Sequence, residues 1–587
     1  MEYPKLRELK TSRDMSSTFR GYNHNLRIAD GEFYDMVNLS SDNWPVMTVR
    51  RRRGVYARPE NTQGLIGKNG LCYVDGENFV VNGTVVQMGL SSKQEDCPKQ
   101  LVSMGAYVII LPDKMWINTM DLSQFGKIEA HYASADQVQF SLCRADGSVY
   151  TKISETKPEI TEDMESGKEE VPVWLDTSTE PHSLKQYSLA TGIWTTVAST
   201  YIKIAAEGIG KEFAVYDAVK ISGVQDEALQ DLNATMTIWS KDDDYIVVTG
   251  IIDKVTTQAE AISVSRAMPE MDFVIESENR LWGCRYGTAA NGETVNEIYA
   301  SKLGDFKNWN SFMGLSTDSY AVSLGTDGPF TGAITYLGYP TFFKENAIHS
   351  IYGSSPSKYQ MQSVICPGVQ KGSHRSLAIV NEVLLYKGTQ GVFAYNGAMP
   401  SLISGQFGSE IYTDAVAGGH RGKYYISMLG SNGEAALFAY DTEKTMWHKE
   451  DDLRVSAFCS SGDELYFIDE RDGVIGTVYG SGTEDSRAVK WMAQTGVLGA
   501  DLPDSKYLSK IAVRMMIPTG ARAKISVEYD SGGYWEHLCT LTGRNLRSFT
   551  IPVRLRRCDH LRLKLEGEGD VRVYSITKTI YEGSDVV

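Results

Sequence analysis

No part of this 587-residue chain approaches the roughly 20 consecutive apolar residues that a membrane-spanning helix needs. The most apolar run, Tyr107-Val108-Ile109-Ile110-Leu111, has the length of a strand. The opening residues, Met1 to Met15, are charged and hold no apolar core, so no secretory signal is expected. The eight cysteines are scattered and none forms a CxxC pair. Several sit in strand-like apolar runs, which fits reduced thiols in a protein that folds in a cytoplasm. Catalytic motifs are missing too: there is no HExxH, no GxSxG, no P-loop and no GxGxxG leading into a helix. The nine histidines are dispersed. Propeller hydrolases can assemble a carboxylate pair from separate blades, but nothing local nominates one here. The chain therefore reads as non-enzymatic, with no catalytic residue, no cofactor and no metal expected. Basic residues are in deficit, 58 against 74 acidic, giving a net charge of −16. That excludes tight, phosphate-neutralising grip on nucleic acid. It leaves room for a path along which DNA slides without sticking.

What is present points to strands. Glycine (54), tyrosine (32) and tryptophan (10) are plentiful, the composition of turns and pleated surfaces. Short alternating hairpins recur along the chain. They run over 71–81, 106–117, 280–300, 341–352, 382–395, 423–440 and 464–478. The last three begin about 41 residues apart, the period of β-propeller blades. A blade has no core of its own and gains one by stacking on its neighbours. From about 485 the period gives way to clean alternation, as in Lys510–Arg514, Lys524–Tyr529, Ser548–Val553 and Leu561–Leu565, the pattern of a sandwich with one wet and one buried face. The expected fold is all-β: a β-propeller of about seven blades over 47–124 and 269–484, an inserted β-rich domain at 125–268 and a C-terminal β-sandwich at 485–587. An extended N-terminal arm at 1–46 would clamp a neighbour or close the ring. The acidic stretch Glu155 to Glu170 reads as a mobile loop.

Several motifs have a plain reading. Tyr440-Asp441 to Trp447 has the spacing of kelch-type blades, and Tyr187 to Trp194 repeats it. The aspartate opens a turn and the tryptophan packs between sheets. Ser301 to Trp309 is a looser relative of the Asp-box turn of sialidases. Asp242-Asp243-Asp244 lacks the alternating carboxylates and turn glycine of a calcium loop and reads as a solvated hairpin turn. The one dense basic run is Arg50-Arg51-Arg52-Arg53. It is either a docking or DNA-path contact or a charged strand edge that blocks aggregation.

Certain stretches resemble a known family. Phe19-Arg20-Gly21-Tyr22-Asn23-His24-Asn25-Leu26-Arg27-Ile28, with Gly31 to Ser40, is similar to the N-terminal arm of packaged-DNA stabilisation proteins. These belong to the tail hub (nozzle) proteins of short-tailed bacteriophages and Firmicutes prophages. Asn279 to Gly287, Gly304 to Asn310 and Gly368 to His374 resemble the same family, and the likeness spans roughly 19–480. The resemblance implies a structural virion protein, made in the host cytoplasm and placed in the tail. It implies a homo-oligomeric ring, a hexamer in that family, below the portal and adaptor proteins and in contact with other tail proteins. Double-stranded DNA would pass through its lumen without specific binding and be retained until ejection. The alternative from a different class is a carbohydrate-binding or glycan-cleaving β-propeller at the tail tip.

Overall fold

A computed structural model describes residues 11–91, 99–179, 181–289, 292–480, 483–484, 488–499, 506–543, 545–553 and 557–582. Strands account for 51% of the described residues and helix for 4%, and the fold is all-β. It is a β-propeller of seven small sheets with an inserted β domain and a C-terminal β-sandwich. Each of the first six blades is a four-stranded sheet whose strands follow chain order: 62–87, 100–127, 273–323, 332–365, 378–402 and 412–449. Blade 7 takes Val455–Ser461, Glu464–Asp469 and Ile475–Thr477 and is completed by Gly54–Ala57 from the other end of the propeller sequence. All seven hairpins read from the sequence are the second and third strands of these sheets.

The chain divides into two compact units, Met1–Leu101 with Gly328–Ser350 and Gln362–Val587, and Val102–Asp327 with Ile351–Met361. In the first unit blade 5 packs on blade 4 through Phe343, Leu384, Tyr386 and Phe393. Blade 7 packs on blade 6 through Tyr425, Leu437, Leu465 and Phe467. Blade 1 packs on blade 7 through Leu71, Tyr73, Val80, Ile468 and Ile475. The first strands of blades 5, 6, 7 and 1 are consecutive neighbours. Glycine lets them converge. A Cβ on Gly418 would stand 2.5 Å from Phe458 of blade 7, and one on Gly419 2.6 Å from Val380 of blade 5. This close approach is one use of the glycine-rich composition.

Residues 11–49 are extended, but they are not a free arm. Thr11–Ser16 pairs with Arg572–Glu582, Glu32–Val37 with Lys490–Thr495, and Met47–Val49 with Arg572–Glu582. They supply strands to both sheets of the sandwich. The strand that closes blade 7 comes after Met47, not before it. The sandwich core, including Met36, Ile511, Val513, Ile525, Val527, Leu563 and Leu565, is continuous with the blade 5 and blade 6 residues Leu385, Tyr424, Phe438 and Trp447.

The second unit holds blades 2 and 3, joined by Ile109, Ile128, Val274, Leu281, Phe306 and Trp309. It also holds three inserted sheets, whose core includes Phe140, Leu175, Ile202, Val219, Ile246 and Val264. Within 155–170 the chain forms one short helix, Glu162–Glu165, capped by Thr161.

Candidate functional site

The arginine run divides by position. Arg50 and Arg53 turn inward, their side chains 13% and 15% exposed, onto the Glu450-Asp451 pair at the end of blade 6. Arg53 forks onto Asp451 with Nη1 2.7 Å from Oδ2 and Nη2 3.0 Å from Oδ1, and Nη2 also meets Glu450 Oε2 at 2.7 Å. Arg50 Nη2 donates to Asp451 Oδ2 at 3.1 Å. Burial alone raises an aspartate; here the two guanidiniums outweigh it and hold Asp451 below its ordinary value. Arg51 and Arg52 stay exposed, with Arg51 3.8 Å from Asp42. The run is thus half an internal weld and half surface. Sequence reasoning missed Glu450 and Asp451, because their partners lie some 400 residues away and no local pattern marks them.

The kelch-like and Asp-box-like motifs sit in turns and core. Asp441 Oδ1 accepts from the amides of Glu443 and Lys444 at 3.1 and 3.0 Å, while Trp447 is fully buried and donates Nε1–H to the Ile403 carbonyl at 2.7 Å. Tyr187 and Trp194 face each other across an inserted hairpin. In the Ser301 to Trp309 turn, Asn308 does more than close the turn. Its Nδ2 donates to Asp305 Oδ2 at 2.6 Å and to Asp217 Oδ1 at 2.9 Å, and its Oδ1 accepts from the Ala218 amide at 2.8 Å. Arg266 pairs with the same Asp217. Blade 3 is bolted to the inserted domain there. Asp242 to Asp244 form a hairpin turn, with Asp244 accepting from the Gly208 amide at 2.8 Å. Among the described residues no group of three metal-ligating side chains comes together. No described helix is long and apolar enough to cross a membrane.

The most site-like surface lies on the sandwich. Strand pairing lines up Lys490, Glu568 and Arg522 in one row and Met492, Glu566 and Lys524 in the next. Side chains alternate across a strand, so these six share the face opposite the core residues Trp491, Ala523 and Leu565. With Val37, Asn38 and Thr540 they line a groove of about 530 Å³. Arg522 meets Glu568 at 3.0 Å and Lys524 meets Glu566 at 2.7 Å. Burial alone raises the Glu566 carboxyl, yet Lys524 and Lys564 bring it below its ordinary value. Farther along, Lys564 Nζ lies 4.7 Å from the Trp535 ring and the Arg562 guanidinium 5.3 Å from the Tyr34 ring. Neighbouring Tyr534 is 76% exposed. Charged donors and acceptors beside flat rings can hold a polar, ring-shaped ligand. A second cavity, about 520 Å³, lies in the sandwich among Asp14, Asp30, Glu32, Phe33, Leu498 and Lys578.

No family model and no curated protein matches the chain. Solved structures do. An acylaminoacyl peptidase from Pyrococcus horikoshii matches at 9% identity and TM-score 0.23, covering 49% of this chain and 46% of its own, so this chain spans about half of that enzyme. A glycoside hydrolase matches at 11% identity and TM-score 0.19, covering 51% of this chain and 96% of its own. Trypanosoma rangeli sialidase in complex with sialic acid matches at 9% identity and TM-score 0.19, covering 97% and 95%. All three are enzymes, and the expectation of a non-enzymatic chain is withdrawn on that finding. At such identities and TM-scores the likeness carries no reaction, substrate or partner to this chain.

Proposed function

We propose that this chain is a ring-forming tail protein of a short-tailed bacteriophage, a hub or nozzle that extends the DNA channel below the portal and adaptor and helps retain packaged DNA. The reading rests on the family resemblance, and one observation supports it most. The segments that carry the resemblance are among those that weld the architecture. Phe19, Tyr22, Phe33, Met36 and Leu39 are buried in the core shared by the sandwich and blades 5 and 6. The His24 amide donates to the Gln406 carbonyl at 2.7 Å, and Asn25 Nδ2 to the Gly405 carbonyl at 3.0 Å. Trp282 and Trp309 are buried in blade 3. A shared pattern of welds is what a family selected for a stiff wall would retain, and packed β-sheets resist deformation. The net charge of −16 suits a lumen that must not hold DNA tightly. Mass spectrometry and labelled electron microscopy of phage particles test it. The expected result is this chain at a fixed copy number at the tail vertex; its absence from particles would end the reading.

A second reading is a carbohydrate-binding propeller protein, with or without cleavage. The sandwich groove favours it, with its two rows of paired charges, and so do the Trp535 and Tyr34 rings, which stand against Lys564 and Arg562 farther along the same strand. A glycan array on the full chain, repeated with Trp535→Ala, checks it: binding lost in the variant supports it and an empty array removes it.

A further inference from the structure

The loop 311–319 between the last two strands of blade 3 holds apolar side chains in solvent on a rigid mount. Phe312, Met313 and Leu315 are 61%, 45% and 56% exposed. Beneath them Arg280 and Asp318, 2% and 3% exposed, tie the loop backbone from both sides. Arg280 donates to the carbonyls of Ser301 at 2.8 Å, Ser316 at 2.9 Å and Asp318. Asp318 accepts from the Leu315 amide at 2.9 Å, the Ser311 hydroxyl at 3.2 Å and the Met313 amide. Two buried charges spent on one loop fix where its apolar tips stand.

Those tips belong to a wider patch, traced by a closed circuit of contacts. Met313 Sδ accepts from Thr237 Oγ1 at 3.3 Å. Thr237 pairs with Ala218, next to the Val215-Tyr216 corner, and the Tyr216 amide donates to Ile238. Lys302 Nζ reaches the Tyr216 carbonyl at 3.3 Å, and the Leu303 amide returns to Thr317 at 2.9 Å. Val215, Tyr216 and Leu303 are each exposed too. Tyr216 sits at φ +70°, a conformation that costs a bulky residue free energy.

We infer that this patch is a contact surface for a second copy of this chain. The inference rests on the ring-forming reading above and names where copies meet. The six side chains present on the order of 500–600 Å² of apolar surface, about the apolar share of one side of a standard protein interface. A rigid mount lowers the ordering cost of docking.

The test measures association of the full chain by light scattering over a concentration series, for wild type, Phe312→Ser/Leu315→Ser and Tyr216→Asn. The double variant is expected to associate about thirtyfold more weakly, the loss of one interface anchor. Tyr216→Asn relieves the backbone conformation but gives up the ring contacts with Trp239 and Lys302, so the melting temperature should stay near that of wild type while association weakens. Weaker association at an unchanged melting temperature separates a lost contact from a damaged fold. An assembled wild type with unaltered association in both variants overturns this inference and leaves the ring reading standing. A wild type that stays monomeric at every concentration overturns both.

Discussion

Arg53 forks onto Asp451 across a sequence separation of 398 residues, joining the segment that leads into the closing strand of blade 7 to the end of blade 6. The pair is enclosed, so breaking it leaves a buried charge without its partner. Arg53→Ala should therefore cost about 3–5 kcal/mol. Arg52→Ala, at an exposed position, should stay within about 0.5 kcal/mol of wild type. Denaturant midpoints check the contrast. Because Asp451 lies below its ordinary value when folded, the pair's contribution is complete above the unfolded aspartate pKa of about 4 and is lost as pH falls through the folded value.

Histidine sets a second acid limit. His448 is buried against Phe19, and neither ring nitrogen has a hydrogen-bond partner among the described residues. Burial, then Lys423, pushes its pKa down to about 3, and burial pushes His349 and His374 down to about 4. Below pH 6.5 the unfolded chain binds protons that the folded chain refuses, so stability falls as pH drops from 6.5 toward 4. The slope is about 1.4 kcal/mol per pH unit for each histidine. His448→Phe should flatten that slope by one histidine's share, read from unfolding curves across the range.

Gly21 has φ +85°, and a Cβ there would stand 2.3 Å from the Trp447 carbonyl oxygen. Gly21→Ala should undock the N-terminal segment from blade 6, costing about 2 kcal/mol or more. Gly76, at φ +58° with open space around it, gives the control: its alanine variant should cost about 1 kcal/mol. Limited proteolysis should cut the Gly21 variant first within residues 11–31.

Asn308→Ala should loosen the inserted domain. It removes the donor to Asp217 Oδ1 and the acceptor of the Ala218 amide, while Arg266 and the Ala214 amide still hold Asp217 Oδ2, at a cost of about 1–3 kcal/mol. Hydrogen exchange should show faster exchange of the amides around Ala218, with the sandwich unaffected.

The parts legible in the sequence were the local ones. Each blade's middle hairpin, such as Lys423–Gly430 with Ala435–Asp441, has two apolar strands and a tight turn, so its signal is contained in about 20 residues. Some first and last strands were not legible, because they are short or polar; Ala378–Val380 and Ser401–Leu402 carry too little pattern to read. Residues 1–46 read as an arm because the partners of their described part, residues 11–46, are Lys490–Thr495 and Arg572–Glu582, more than 400 residues distant, while residues 1–10 lie outside the described residues. The sandwich groove escaped notice for a similar reason. Lys490, Arg522 and Glu568 are unremarkable singly, and only strand register puts them in one row. Of the arginine run, sequence could mark the charge but not that Arg50 and Arg53 are already paired internally.

The central claim is that copies of this chain close into a ring around an open axis. Electron-microscopy class averages of the purified full-length chain, taken near micromolar concentration and again after concentration, test it most directly. The account predicts closed annular particles of one subunit number with a central hole. Isolated single-chain particles at every concentration would contradict it.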